Sequence, residues 1–216
     1  MKAPILKTAL MLAVTSLVFS CQKEVSDLSS EASLETKAAV AKDQIREFDL
    51  AGKMETYTSL VPDIDGGWAG GLLPAWYPGS GEGTLSHVGR FTTVFNQYAW
   101  QVEGVGARGE AYPLTADAFL MLADLGIYPP DNTGTVFFDK QGNSIWSNGT
   151  YTYIFETDRE DRLIVQAVLN IFGGSGKYAD ASGHLILNGY TDIMYTPDPA
   201  EPDTRDVFEI TGHIKY

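Results

Sequence analysis

Beyond about Asp43 the chain is written in period two. Phe48, Leu50, Gly52, Met54 and Thr56 alternate with Asp49, Ala51, Lys53 and Glu55. Successive side chains of an extended backbone point to opposite faces, so this alternation specifies a strand with one apolar side. Runs of the same kind recur over 83–95, 97–104, 133–139, 144–146, 150–157, 162–172, 184–188 and 207–216, parted by turns rich in Gly and Pro. Many short strands can bury their apolar sides only together, in an antiparallel sandwich or barrel. Thr115–Leu125 is the one helical stretch of this region: Thr115 caps it, Asp117 lies in its first turn, and Gly126 ends it before Pro129-Pro130. Lys140-Gln141-Gly142-Asn143 between two apolar runs signals a hairpin.

Composition narrows the function classes. Lys and Arg number 15 against 28 Asp and Glu, a net charge of −13, which argues against nucleic-acid binding, since that needs a basic face. Hydrophobic residues at 44% are enough for a packed core. The single cysteine, Cys21, leaves neither an intrachain disulfide nor a Cys-based zinc site. It follows a short basic segment and the apolar run Thr8–Phe19, a secretory signal too short to span a bilayer. Val18-Phe19-Ser20-Cys21 resembles the bacterial lipobox. That resemblance implies cleavage before Cys21, acylation of its sulfur, and a lipid anchor in the bacterial outer membrane, facing the periplasm or the surface. The expected organisation is a signal peptide over 1–20, a flexible linker over 21–43 rich in Ser, Ala, Glu and Lys, and one domain over 44–216.

Several residues invite a chemical reading. The segment Val61–Gly83 reads as a long Gly- and Pro-rich loop, yet it holds Trp68, Trp76 and Tyr77; aromatics in such a loop fold back on the body or cover an opening. With 83–95 read as one strand, His87 shares a face with Leu85 and Phe91 and points into the interior. There it is a structural histidine, a ligand-orienting or acid/base group, or a metal ligand, the first being favoured because His184 and His213 are unpaired with it by spacing. Glu103 is a second interior candidate. Gly104–Gly109 formally matches GxGxxG but lacks the βαβ context of a dinucleotide site. Gly173-Gly174-Ser175-Gly176-Lys177 falls short of a phosphate-binding loop. Glu156, Asp158, Glu160 and Asp161 form one acidic turn, and Asp198, Glu201, Asp203 and Asp206 another; both read as solvated loop tips rather than calcium sites. Asn148-Gly149-Thr150 reads as a turn entering a strand. No metal and no cofactor is expected.

Four stretches carry a family resemblance. Gly83–Thr92 (GTLSHVGRFT) is similar to a G-x-A-T-H-L-G-x-F-T signature, Asp139–Ile145 to an ANGDxL hairpin, Phe172–Gly183 to GGTGRFAGATG, and Gly212–Tyr216 to a GxIxY ending. Together they resemble secreted bacterial members of the allene oxide cyclase barrel superfamily, which includes dirigent proteins. The resemblance covers about 45–216, with Gly104–Asn132 as an insertion. It implies an all-β fold: a closed antiparallel barrel of about eight strands with a ligand-sized interior, one short helix and a long aromatic loop.

The expected function is that of a lipid-anchored envelope barrel, more a binder than an enzyme. It would take a small apolar ligand, or an envelope partner, in a pocket formed by His87, Phe91, Trp68, Trp76 and Tyr77. The enzymatic alternative is a cyclase or isomerase working by pocket preorganisation, with His87 or Glu103 handling the proton. A third reading is a structural subunit that uses the Trp68–Tyr77 loop as its contact surface.

Overall fold

The computed structural model describes residues 45–103, 106–155, 159–194, 198 and 200–216, all within the unit Ile45–Tyr216. The signal, Cys21 and linker readings lie outside the described residues. The elements are β1 (Glu47–Thr58), β2 (Val61–Pro62), β3 (Ala75–Trp76), β4 (Gly79–Leu85), β5 (Gly89–Phe95), β6 (Gln97–Val102), β7 (Gly106–Ala111), α1 (Ala116–Asp124), β8 (Thr135–Phe138), β9 (Ser144–Phe155), β10 (Arg162–Ser175), β11 (Ser182–Ile193) and β12 (Thr204–Lys215). Antiparallel pairing runs β1–β4–β5–β8–β9–β10–β11–β12 and returns to β1. The fold is therefore a closed eight-stranded antiparallel barrel. The closing pair is the first strand against the last, from Glu47↔Lys215 to Thr58↔Thr204.

The four remaining short strands extend this wall. β2 pairs with β3 in the register that β1 keeps with β4, and β3 pairs with β6 in the register that β4 keeps with β5. β7 and β8 behave as one interrupted strand. β7 lies between β6 and one half of β9, and β8 lies between β5 and the other half. The Tyr112 N–H donates to the Asn96 carbonyl, and the Asn96 N–H to the Gly134 carbonyl. Residues 113–134 (134 − 112 = 22 residues) thus leave the wall and return to the point of departure. The expected insertion is real but starts later than the sequence suggested, because Gly106–Ala111 is wall.

Two asparagines close the neck of this excursion from the flanking strands. Asn96 Nδ2 donates to the Pro113 carbonyl at 2.9 Å. Asn148 Oδ1 accepts from the Gly134 N–H at 2.6 Å, and its Nδ2 donates to the Asn132 carbonyl at 3.0 Å. Asn148 therefore sits within β9 and not in a turn. The excursion carries α1, capped by Thr115, whose hydroxyl accepts from the Ala118 N–H. Leu114, Leu122 and Ile127 from the excursion pack on Val94, Val136 and Phe138 of the wall. Full burial of a leucine such as Leu122 contributes about 1.5–3 kcal/mol.

The turns after β4, β8 and β10 and the end of β12 lie at one end of the barrel, so the four family-like stretches all build that end. Tyr178 plugs it, 1% exposed and edge-on to Tyr216 at 4.8 Å. The stretch 83–95 is a hairpin and not one strand. Ser86–Val88 turn, and His87 takes φ 62°, a left-handed conformation seldom used by residues with a Cβ. The segment Val61–Gly83 is likewise more regular than a loop. β4 begins at Gly79, and its glycines serve close approach: a methyl on Gly83 would strike the Phe91 ring and the Lys53 carbonyl.

Asn148→Ala leaves the Gly134 N–H and the Asn132 carbonyl without their partners, at a cost of about 1–3 kcal/mol. The melting temperature should fall by about 2–4 °C per kcal/mol. An unchanged midpoint in a thermal melt would show that the neck is held by other contacts.

Candidate functional site

Alternation along the wall sends Met54, Thr56 and Thr58 of β1, Thr93 and Phe95 of β5, and Thr204, Asp206 and Phe208 of β12 inward. The closed half of the interior is apolar, filled by Leu50, Leu85, Phe91, Ile145, Ile210 and Ile214. Phe91 meets Phe137 edge-on there, at 5.3 Å. The other half is rich in hydroxyls and contains the buried acid Asp206, 6% exposed.

The register positions Asp206. It faces Thr56 across β1 and Thr191 across β11. Thr56 donates to Oδ2 at 2.9 Å and Thr191 to Oδ1 at 2.6 Å. Burial pushes the Asp206 carboxyl up to about 6, against the pull of these two donors. Nearby, the Tyr153 hydroxyl donates to Gln97 Oε1 at 2.6 Å. Burial raises Tyr151 to about 12, and it raises Tyr153 well above its ordinary range, the Asp206 charge adding to both.

Two cavities meet at this group. The outer one, about 50 Å³, opens at the end opposite Tyr178; Leu72, Leu73, Tyr77, Ala107, Leu163 and Ile193 give it an apolar wall. The inner one, about 20 Å³, lies deeper, between Met54, Phe95, Phe137, Tyr151 and Phe208. Asp206, Thr191, Gln97 and Tyr153 line both. The lip over the outer cavity is held down: the Tyr77 hydroxyl donates to the Leu72 carbonyl, and Asp63 accepts from the Gly66 N–H and the Tyr98 hydroxyl.

The sequence candidates fall mostly elsewhere. His87 is exposed on the tip of the β4–β5 hairpin, stacked on Phe48 at 4.4 Å, so its expected interior position is corrected. Glu103 is exposed in the turn after β6 and does not point inside. Phe91 is interior but belongs to the closed half. Trp76 faces outward, against Tyr98 and Tyr112. Trp68 is half-buried, its indole N–H on the Gly71 carbonyl at 2.8 Å. Tyr77 alone of the expected pocket residues lines the cavity.

Asp206 escaped the sequence reading because it was grouped with the acidic turn at 198–206. The signal was its phase: it alternates in step with Phe208, Ile210 and Ile214 on β12. Asp161 pairs with Arg159, Asp192 with Arg162, and Glu55 with Arg205, which holds Glu55 down at about 2. Glu156 and Asp158 lie outside the described residues. Among the described residues no group of three His, Cys, Asp or Glu is arranged to hold a metal ion, and no helix is long and apolar enough to cross a membrane.

No family model matches the chain, and no curated protein does. Among solved structures, that of the pterocarpan synthase dirigent protein GePTS1 aligns over 79% of this chain and 86% of that one, at 12% identity and a TM-score of 0.39. The barrel assignment rests on the strand pairings of this chain itself.

The raised Asp206 carboxyl has a thermodynamic signature. Its folded pKa of about 6 lies above the ordinary 3.8, so the native state binds the extra proton between those values. The contribution of Asp206 to stability is greatest below about pH 4 and is lost as pH rises to about 6, on the order of 2–3 kcal/mol. Asp206→Asn should therefore gain stability over the wild type across that window, as read by urea unfolding from pH 4 to 7.5. Parallel curves for the two proteins would contradict the burial of the charge.

Proposed function

We propose that this protein is a lipid-anchored cell-envelope barrel that binds a small, largely apolar ligand through its open end. The supporting observation is the outer cavity: leucines, an isoleucine and alanines form its wall, Asp206, Thr191 and Gln97 form its floor, and the Leu72–Tyr77 lip folds over it. An apolar body with a few convergent polar groups is the usual composition of a small-molecule site. An eight-stranded barrel is just wide enough for one such ligand. The lip residues turned onto the mouth favour this reading over a loop used for docking a partner. Anchoring follows from the lipobox-like Val18–Cys21; several acyl chains on one cysteine hold firmly at about 0.8 kcal/mol per buried methylene.

One observation favours a second reading. A carboxyl near pKa 6 can give or take a proton at neutral pH. In an isomerase or cyclase of this shape Asp206 would replace His87 and Glu103 as the proton handler.

Indole, a neutral apolar probe, should bind the native protein in a calorimetric titration, and Ala107→Leu, which fills the outer cavity, should weaken it at least about tenfold. Equal binding to both folded proteins would place the ligand elsewhere. Cys21→Ser should abolish incorporation of labelled palmitate in a bacterial host; retained label would refute the anchor.

A further inference from the structure

We infer that the ligand of this barrel is a small primary amine, its ammonium head in the inner cavity and its apolar body in the outer one. This rests on the binding reading above and specifies its chemistry.

The first reason is charge. Among the described residues Asp206 is the one carboxylic acid lining either cavity, and none of their Lys, Arg or His side chains lines them. A carboxylate in the barrel interior with no cation beside it is a costly arrangement. An ammonium ion supplies the missing partner, whereas a carboxylate, sulfate or phosphate head would meet like charge. An ionised carboxylate offers about four lone-pair positions. Thr56 and Thr191 occupy one on each oxygen, which fixes the group and leaves acceptor capacity for a ligand N–H.

The second reason is the wall. Phe95, Phe137, Phe208, Tyr151 and Tyr153 surround the inner cavity. Aromatic side chains lining the same cavity as a carboxylate suit an organic cation, since the face of an aromatic ring attracts positive charge through its quadrupole.

The third reason is a hydroxyl without a partner. Thr93 Oγ1 is buried in a residue 0% exposed, makes no hydrogen bond among the described residues, and belongs to the lining of the same cavity. It is an acceptor for a second N–H of the head.

Size then selects among cations. About 20 Å³ accommodates a group as small as one water molecule. A primary ammonium has that size; a trimethylammonium does not. The apolar body of the amine would lie against Leu163, Ile193 and the Leu72–Leu73 lip. The net charge of −13 raises the local concentration of cations around the chain.

The test is calorimetric titration of the full chain at pH 7.5 with n-hexylamine, hexan-1-ol and hexyltrimethylammonium. Hexylamine should bind at least about tenfold more tightly than either of the others. Asp206→Asn should remove that preference while indole binding persists. Thr93→Val, which leaves the carboxylate in place, should weaken hexylamine and not indole. Equal affinity for amine and alcohol overturns the proposal, as does hexylamine binding that survives Asp206→Asn, since that would come from surface acids. Indole binding without hexylamine binding defeats the amine assignment alone. Failure of indole as well defeats the binding reading itself.

Discussion

The constraint on which this structure depends is closure of the sheet on itself. Twelve residues of β1 pair with twelve of β12 from Glu47↔Lys215 to Thr58↔Thr204, so the two ends of the domain sequence form one seam and leave no exposed edge there. Once the cylinder is closed, every second residue of each wall strand faces a confined interior. The glycines of β4 follow from that crowding: at Gly79 and Gly83 the phenyl rings of Phe95 and Phe91 lie where a side chain would be, and at Gly81 the Glu55 carbonyl and Thr56 of β1 do. The excursion at 113–134 obeys the same constraint. It leaves and rejoins the wall between two strands that stay in register on either side, and Asn96 and Asn148 satisfy the backbone groups freed at the gap.

Closure also divides the interior by chemistry. The end built from the tight turns is filled with aliphatic and aromatic side chains and plugged by Tyr178. The end built from the longer connections retains space and holds Asp206 among threonines and tyrosines. Close packing and open space thereby fall in different halves of one cylinder. The stretches that resemble the allene oxide cyclase barrels all lie in the filled half. They are therefore informative about how the barrel closes and say little about the chemistry of its other half.

Much of the architecture was legible from local signals. Alternation located most wall strands, the Thr115 cap and Gly126 bracketed α1, and Lys140–Asn143 marked the β8–β9 turn. The errors share one cause. His87 lacks the character of a turn residue, so a hairpin read as a continuous strand and its tip as an interior position. Gly79–Gly83 read as loop because glycine ordinarily weakens strands. Asp206 read as part of an acidic tip because a charged residue beside prolines ordinarily faces water. In each place a local preference was overridden by a contact with a neighbouring strand distant in sequence.

The sequence by itself determined the class of the fold and the phase of its strands, because the period of side-chain direction is a local property of an extended backbone. It also holds the lipobox-like segment, which needs no tertiary context to be read. Only the tertiary structure decided which residues form the site. Asp206, Thr56 and Thr191 lie on three strands and meet through register, and cross-strand register is set by the closure of the whole cylinder, a quantity that no short window of sequence contains.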